Sequence, residues 1–294
     1  MSDAERWTIG RLLQWTTEYL KKSGSASPRL DAEVLLSDAR GCQRIQLYTA
    51  FDEEPGEAER TRFRDLVKRR AAGEPVAYLV GRREFYSLSF RVTPDVLIPR
   101  PETEFVVLGV LDALQQRTVR EEPARVADVG TGSGAIAISV AKHTEDARIT
   151  ASDISSTALA LARENAAQLA VAPRIEFLVS DLFESYPAEQ RFDVIASNPP
   201  YLGESEVAGL SRDVRDFEPR GALVAGSEGS EVIQRLIAAA PQRLVPGGAL
   251  IVEMSPMLEP KIRELFSRDA HWAQVTVSKD LAGLARVVRA DYRP

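Results

Sequence analysis

The spacing of apolar residues changes along the chain and predicts three structural parts. Residues 1–75 carry apolar side chains at the spacing of amphipathic helices. The clearest stripe consists of Leu12, Leu13, Trp15, Thr16, Tyr19 and Leu20. Further helical stretches follow at 30–36, 47–51 and 58–72, separated by turn-forming residues. We therefore predict a small all-helical domain over residues 1–75.

Residues 76–101 have a different pattern, which predicts a β connector. Short apolar runs favour strands at 76–80, 84–88 and 90–92, with a turn at 81–83. A proline on each side of Arg100 ends this part, and Thr103 begins a predicted helix that runs to about Gln116. We expect a β-hairpin connector at 76–101 and a second domain at 102–294.

From Arg125 onwards, buried strands and helices alternate, which predicts an α/β fold. Strands are predicted at 126–129, 147–152, 175–179, 192–196 and 249–254. Helices are predicted at 135–141, 155–169, 228–240 and 258–266. Two further strands, at 275–277 and 285–288, have no helix between them and predict a terminal antiparallel hairpin. Such alternation implies a parallel sheet that is covered by helices on both faces.

The composition is that of an ordinary globular chain and narrows the class of partner. Hydrophobic residues make up 44% and charged residues 27% of the 294 residues, and the net charge is −6. An acidic chain with balanced charge over residues 1–75 is unlike a protein that binds nucleic acid stably, which usually has a basic face. We expect no stable nucleic-acid binding.

Cysteine and histidine usage bears on compartment and metal binding. Cys42 is the single cysteine, so no intramolecular disulfide can form, which fits a reducing cytoplasm. His143 and His271 have no cysteine partners at metal-ligand spacing, so we expect no metal. The polar start predicts no signal peptide, and no apolar run is long enough to cross a membrane.

A glycine-rich turn follows the first strand of the predicted sheet. It comprises Gly130, Thr131, Gly132, Ser133 and Gly134. Glycines there let the backbone approach a ligand closely, and the following helix adds backbone donors. Asp153 ends the second strand, where its carboxylate can accept both hydroxyls of a ribose or can cap the next helix. Asp181 and Leu182 end the third strand, where an adenine would lie, although Asp181 is also consistent with a surface acid.

A proline-rich corner follows the fourth strand and consists of Ser197, Asn198, Pro199, Pro200 and Tyr201. The prolines fix φ at two positions and hold Asn198 in an extended conformation. The Asn198 side-chain oxygen and the Pro199 carbonyl can each accept one N–H, and the Tyr201 ring can cover a flat group. The corner therefore suits a planar substrate group that carries an NH2. It is also consistent with an ordinary strand-to-loop turn.

The two motifs should share one crevice. In open α/β sheets, ligands bind beyond the carboxyl ends of the strands at the switch in strand order. The glycine turn and the proline corner follow strands that flank that switch. If Asn198 orients an NH2 group, its own NH2 should be tied to a neighbouring backbone carbonyl, so that the amide cannot flip.

At this point the chain resembles a known family over nearly its whole length. The stretch DVGTGSGAIAISVA with SNPPY is similar to class I S-adenosylmethionine-dependent methyltransferases that act on a planar NH2. The stretches LIPRPETE, DVRDFEPRGALVAGSEG and KDLAGLARVV resemble the bacterial release factor glutamine methyltransferases, the PrmC/HemK family. This resemblance implies a Rossmann-like seven-stranded methyltransferase domain, a helical substrate-recognition domain and a β connector.

The resemblance also implies an activity and roles for the motif residues. Members methylate the side-chain amide nitrogen of the glutamine in the Gly-Gly-Gln loop of class I peptide chain release factors. Residues 130–134 and Asp153 would hold the cofactor, residues 198–201 would hold the glutamine, and Arg100 would lie beside the active site. Leu182 stands where the family often has tryptophan, and residues 253–256 replace a glycine-richer turn. The implied enzyme needs no metal, and we expect it to act as a monomer.

Three alternatives remain open on the sequence. An adenine methyltransferase of DNA or RNA would use Asn198 and Tyr201 in the same way, because adenine also offers a conjugated NH2. A glutamine methyltransferase of a ribosomal protein would use the same site. A non-catalytic cofactor-binding or docking protein would not require an intact Asn198 and glycine turn, which argues against it.

Overall fold

The computed structural model describes residues 6–117 and 122–294, which form two compact units. One unit comprises residues up to 82 together with 211–217, and the other comprises 83–210 and 218–294. The smaller unit is helical. Its helices are α1 (Ile9–Lys22), α2 (Pro28–Arg40), α3 (Arg44–Thr49), α4 (Glu57–Ala71) and α5 (Val76–Val80).

The core of the helical unit is built from the inward faces of these helices. Ile9, Leu13 and Leu20 of α1 are fully buried and pack with apolar residues of α2 and α4. The predicted stripe on α1 is partly wrong, because Trp15 is 51% exposed and Tyr19 is 38% exposed. The two rings stack on each other outside the core, with centroids 5.1 Å apart.

The prediction of a strand at 76–80 is also wrong, because these residues form the single helical turn α5. Pro75 precedes the helix with φ fixed at −61°, and Gly81 ends it in the left-handed region at φ 71°. A proline before the segment and a glycine after it favour a short helix. Together they outweigh the β propensity of Val76 and Val80.

The larger unit begins with a hairpin of β1 (Arg82–Phe85) and β2 (Leu88–Arg91). Its turn lies at Tyr86 and Ser87, which both have positive φ, and not at the predicted 81–83. Two left-handed residues in succession match a two-residue hairpin turn, and the Tyr86 N–H is held by Glu104 Oε1 at 3.0 Å. The conformation is thus supported by a tertiary contact that the sequence pattern does not reveal.

The remaining elements of the larger unit form a seven-stranded sheet with helices. The strands are β3 (Ala124–Val129), β4 (Ala147–Asp153), β5 (Ile175–Val179), β6 (Phe192–Ser197), β9 (Leu244–Glu253), β10 (Trp272–Lys279) and β11 (Ala285–Tyr292). The helices are α6 (Glu104–Gln116), α7 (Ala135–His143), α8 (Ser156–Gln168), α10 (Glu231–Ala239) and α11 (Glu259–Ser267). A short pair, β7 (Leu202–Gly203) and β8 (Val224–Gly226), follows β6, and α9 (Arg212–Phe217) belongs to the helical unit.

The strand order is β10-β11-β9-β6-β3-β4-β5. The five strands from β9 to β5 are parallel, and β11 pairs antiparallel with both β9 and β10. This confirms the predicted Rossmann-like seven-stranded fold and its terminal antiparallel hairpin. Separate apolar clusters cover the sheet, one including Ile138 and Val106 and the other including Ile233 and Phe266. The chain leaves β3 for β4 on one side and returns to β6 on the other, so the switch in strand order lies between β3 and β6.

Candidate active site

The loops after β3 and β6 lie side by side, because these strands are neighbours in the sheet. Val129 pairs with Ser197 at the ends of the two strands, and the Ser197 hydroxyl donates to the Val129 carbonyl at 2.6 Å. The glycine turn and the proline corner therefore start from adjacent points. They open into one cavity of about 380 Å³, a size that suits a small-molecule ligand.

The glycine turn has the backbone geometry that its sequence predicts. Gly130, Gly132 and Gly134 have φ of 75°, 54° and 85°, a region that side chains disfavour. A Cβ at Gly134 would lie 2.7 Å from Ile138 Cδ1, so the turn packs tightly onto α7 there. A Cβ at Gly130 or Gly132 would meet nothing within 4 Å, which leaves open space above the backbone for a ligand.

Asp128 stabilises the glycine turn through hydrogen bonds. Its Oδ2 accepts the Thr131 hydroxyl at 2.6 Å and the Ala137 N–H at 3.0 Å, and the residue is fully buried. Burial raises the Asp128 pKa to about 6, against the lowering effect of these two hydrogen bonds. Its other oxygen, Oδ1, is buried without a hydrogen-bond partner in the described part of the chain. Asp128 was not predicted as a site residue, although it lies two residues before the first glycine of the turn.

Asp153 reaches across from the end of β4 to the glycine turn. Its Oδ2 accepts the Gly132 N–H and its Oδ1 accepts the Ser155 N–H, both at 2.9 Å. Burial raises its pKa, and the two backbone donors act in the opposite direction. The carboxylate also lines the cavity. Asp153 thus bonds the N–H of Ser155, and Ser155 is the residue that caps α8, so the alternative interpretation of Asp153 as the helix cap is wrong.

Asp181 and Leu182 lie on the same cavity wall after β5. Leu182 has φ 47°, a strained conformation for a leucine. The Asp181 carboxylate accepts Arg235 Nη2 at 2.8 Å, and Arg235 also lines the cavity. Arg235, on α10, was not predicted, because nothing in its local sequence distinguishes it from a surface arginine.

Asn198 is oriented by a side chain rather than by a backbone carbonyl, which corrects the prediction. Its Nδ2 donates to Thr103 Oγ1 at 3.0 Å. Its Oδ1 is buried and has no hydrogen-bond partner among residues 6–117 and 122–294. Both Asn198 and Thr103 line the cavity, together with Pro199 and Pro200. The corner therefore holds an amide oxygen without a hydrogen-bond partner, on a residue that lines the cavity.

Tyr201 and Arg100 are tied to carboxylates beside the cavity and are not among its lining residues. The Tyr201 hydroxyl donates to Glu253 Oε1 at 3.2 Å, and burial beside that carboxyl raises the Tyr201 pKa. Arg100 Nη2 donates to Glu218 Oε1 at 2.5 Å. The Glu218 side chain is 1% exposed, and its Oε2 accepts the Ile98 N–H at 3.2 Å.

The cavity brings together the other predicted site residues except Gly134, which packs behind the turn. Those that line it are Gly130, Thr131, Gly132, Ser133, Asp153, Asp181, Leu182, Asn198, Pro199 and Pro200. An open glycine backbone, the partly buried Asp153 carboxylate and an apolar wall together fit a nucleoside ligand such as S-adenosylmethionine. Residues 6–117 and 122–294 hold no group of three or more metal-ligating side chains. None of the helices in these ranges is long and apolar enough to cross a membrane.

Comparison with known proteins places this geometry in a family. The model of the PrmC N-terminal domain matches residues 11–81, and that of the methyltransferase small domain matches residues 110–211. A release factor glutamine methyltransferase from Rhodopirellula baltica is 50% identical over 282 residues, which cover 96% of this chain and 95% of the relative. The enzyme of the same name from Nitratidesulfovibrio vulgaris is 42% identical over 284 residues, covering 96% and 95%.

Among solved structures, the catalytic domain of hMettl16 in complex with an RNA hairpin matches with a TM-score of 0.56 and 17% identity, covering 78% of this chain and 83% of that one. This likeness supports the fold alone. The relatives that share up to half of their residues with this chain over almost its whole length carry more weight. The chain belongs to the family of release factor glutamine methyltransferases.

Proposed function

We propose that the protein transfers a methyl group from S-adenosylmethionine to the side-chain amide nitrogen of the glutamine in the Gly-Gly-Gln motif of class I peptide chain release factors. The observation that supports this most is the Asn198 amide. Its oxygen is buried without a partner on a residue that lines the cavity, while its NH2 is already bonded to Thr103. A substrate that brings an NH2 group is the natural complement of such an acceptor.

The substrate nitrogen is a weak nucleophile, because its lone pair is delocalised into the adjacent carbonyl. S-adenosylmethionine supplies a methyl group on a sulfonium, and transfer of that methyl to the amide nitrogen yields S-adenosylhomocysteine, N-methylated glutamine and one proton, which leaves to solvent. The protein contributes by holding the NH2 so that its lone pair faces the methyl group. Positioning of this kind can supply on the order of 7–11 kcal/mol.

Asn198 and Pro199 carry the substrate side of this role. The Asn198 Oδ1 and the Pro199 carbonyl would accept the two N–H bonds of the glutamine amide. These bonds strengthen as the nitrogen becomes positive during transfer, so they stabilise the transition state more than the ground state. Pro200 lines the same corner. Tyr201 is held by Glu253 outside the cavity lining, so its ring would cover the substrate plane only after moving toward the cavity. Arg100 would act through Glu218 to position the segment next to the substrate.

The other predicted cavity residues would bind the cofactor. Residues 130–134 would bring their backbone close to the methionine part, since two of the glycines leave open space above them. The Asp153 carboxylate would accept the ribose hydroxyls. Leu182 would pack on the adenine, and Asp181, held by Arg235, would lie at its edge.

The helical residues 1–75 and the connector 76–101 would recognise the release factor, and residues 102–294 would carry out the chemistry. We infer that the protein is a monomer and that it acts in the cytoplasm. The single Cys42 supports the second point, because a chain without intramolecular disulfides fits a reducing compartment. The net charge of −6 argues against a nucleic-acid substrate.

The experiment is a single-turnover assay with a class I release factor and labelled cofactor, in which tandem mass spectrometry locates the methyl group. The parent protein should label the glutamine of the Gly-Gly-Gln motif. Asn198→Ala should lower the rate by on the order of 10²–10³, because one preorganised partner of the developing charge is lost. Cofactor affinity should change much less.

Asn198→Asp is the informative companion variant, because it keeps an oxygen at the same place. It should retain more activity than Asn198→Ala if acceptance of the substrate N–H is what matters. A parent protein that leaves the Gly-Gly-Gln glutamine unmodified contradicts the proposed function. An Asn198→Ala variant that is nearly as fast as the parent reduces Asn198 to a turn residue.

A further inference from the structure

Asn165 lies inside α8 and bonds two segments that are distant from it in the chain. The residue is fully buried. Its Oδ1 accepts the Arg91 N–H at 2.8 Å, and its Nδ2 donates to the Arg91 carbonyl at 3.0 Å and to the Ser133 carbonyl at 2.9 Å. The NH2 group has two hydrogens, one for each carbonyl. One planar side chain therefore holds both backbone groups of Arg91 and the carbonyl of Ser133.

Ser133 belongs to the glycine turn, so one of these two segments is part of the candidate cofactor site. It lines the cavity and is only 3% exposed. Gly132 and Gly134 flank it, and both have positive φ. Glycine backbones rotate more freely than others, so the direction of the Ser133 carbonyl depends on tertiary bonds. Asn165 supplies such a bond from outside the turn.

Arg91 is the last residue of β2 and leads into a second part of the cavity wall. We call residues 95–99 the wall segment; its members that line the cavity are Asp95, Val96, Leu97 and Pro99. Only three residues separate Arg91 from this segment, so its position depends on where Arg91 is held. The Arg91 guanidinium also pairs with Glu164, but both of those side chains are more than half exposed, and such pairs are weak. The buried bonds to Asn165 are therefore the stronger attachment.

We propose that Asn165 is a positioning residue that couples the glycine turn to the wall segment, so that a cofactor bound at the turn also orders the wall beside the substrate. This inference rests on the proposed function for the identity of the two ligands. The coupling itself is a property of the protein and can be measured with the cofactor product alone. Asn165 is not among the residues that line the cavity, and it touches neither ligand in this scheme.

The coupling follows from the cost of breaking any of the three bonds. Bulk water cannot replace a bond that is lost at a fully buried amide, so each unpaired donor or acceptor there is unfavourable. A ligand that restricts the Ser133 carbonyl thus restricts the Asn165 amide, and through it the Arg91 backbone. The wall segment then loses less freedom when a second ligand binds beside it, which is positive coupling between two parts of the cavity.

The first test uses the unaltered protein and follows amide hydrogen exchange by nuclear magnetic resonance. S-adenosylhomocysteine, at a concentration that saturates the protein in titration calorimetry, should slow exchange of the Arg91 N–H by roughly fivefold or more. The Tyr86 N–H is the matched control, because it lies in the same hairpin and is held by Glu104 instead. Its exchange should change by less than about twofold. No substitution is involved, so a folding defect cannot imitate the result.

The second test replaces Asn165 with leucine, which is close in size but forms no side-chain hydrogen bond. Without ligand, the Arg91 N–H should exchange roughly tenfold faster than in the parent, because its acceptor is lost. S-adenosylhomocysteine should bind roughly three- to tenfold more weakly and should no longer slow exchange at Arg91. Phe266→Leu is the control for a general loss of stability, because Phe266 is a buried residue of α11 that does not line the cavity. It should keep the cofactor affinity and the exchange response of the parent.

The results distinguish the coupling from the proposed function. Exchange at Arg91 that does not respond to bound S-adenosylhomocysteine overturns the inference and leaves the proposed function intact. A response that persists in Asn165→Leu also overturns it, because the coupling would then run through other contacts. A response that depends on Asn165, in a protein that does not methylate the Gly-Gly-Gln glutamine, supports the coupling and refutes the proposed function instead.

Discussion

Asp153 shows how one side chain can serve the fold and the ligand together. A carboxylate offers about four acceptor positions. In the structure two of these are used, one by Gly132 and one by Ser155. Two positions remain for the hydroxyls of a ribose, and Asp153 lines the cavity. The same residue therefore shapes the glycine turn and is available to the cofactor.

Replacing Asp153 with alanine should weaken S-adenosylmethionine binding strongly. Each charge-assisted hydrogen bond lost costs roughly 1.5–3 kcal/mol, and the glycine turn also loses its tie to β4. Titration calorimetry measures the change. Asp146→Ala is the control, because that carboxylate is exposed and precedes β4 at its other end. Equal affinities for Asp153→Ala and the parent would remove Asp153 from the cofactor site.

At the residue scale, the sequence predicts functional residues that lie close to one another along the chain. Asn198, Gly130 and Gly132 lie in short motifs whose backbone chemistry is local, and all three line one cavity. Thr103 and Glu253 could not be found this way. Thr103 lies 95 residues from Asn198, and Glu253 lies 52 residues from Tyr201. Each of these two contacts exists only after the sheet has formed.

At the scale of elements, a buried carboxylate joins the segment before α6 to the loop after α9. Glu218 accepts both the Arg100 guanidinium and the Ile98 N–H. Leu97 and Pro99 on one segment, and Pro219 and Gly221 on the other, line the cavity. This ion pair thus holds two pieces of the cavity wall in register.

Breaking this buried ion pair should lower the unfolding free energy more than breaking an exposed ion pair would. Arg100→Ala removes the guanidinium that bonds the buried Glu218 carboxylate, so unfolding free energy should fall by about 1.5–3 kcal/mol. Arg263→Ala removes the exposed pair with Glu259 and should cost less than about 0.5 kcal/mol. Urea titrations measure both. If Arg100→Ala costs no more than Arg263→Ala, Arg100 is free to contact the substrate directly.

A second tie between elements involves Asn165 of α8, which is fully buried. Its amide bonds the Arg91 N–H and carbonyl, and its Nδ2 also donates to the Ser133 carbonyl at 2.9 Å. The edge of the hairpin is thereby connected to the glycine turn. An asparagine within a helical pattern gives no sign of such a role.

The elements that were predicted correctly are those whose pattern is set by burial along the chain. The strands β3 and β6 are nearly or fully buried, and their apolar runs predicted them closely. The strand predicted at 76–80 was wrong because Pro75 and Gly81 outweigh a short valine-rich run. The turn at Tyr86 was missed because its backbone is held by Glu104, a contact that only the fold creates.

At the scale of the whole molecule, the helical unit carries exposed aromatic rings. Trp15 and Tyr19 stack on each other at the surface of α1, and Trp7 meets Trp15 edge-on at 6.3 Å. Aromatic residues of this kind are enriched where proteins bind partners. Removing residues 1–75 altogether would be a poor test, because residues 211–217 pack in the same unit and would lose their neighbours.

Replacing both Trp15 and Tyr19 with alanine is a milder test of partner recognition. We expect kcat/KM to fall at least tenfold on an intact release factor and to stay near the parent value on a short glutamine peptide. The altered residues are exposed, so the melting temperature should change little. Leu281→Ala, at a fully exposed site in the larger unit, is the control. Equal losses on both substrates would assign the rings to stability instead.

The central claim is that the site serves a protein glutamine and not a nucleobase or another protein. The most direct measurement is a competition in which one reaction contains labelled S-adenosylmethionine, a class I release factor, large-subunit ribosomal proteins and duplex DNA at equal concentrations and physiological salt. Mass spectrometry then locates the label. The label should accumulate on the glutamine of the Gly-Gly-Gln motif, with none on DNA. Label on adenine, or on a ribosomal protein ahead of the release factor, would contradict it.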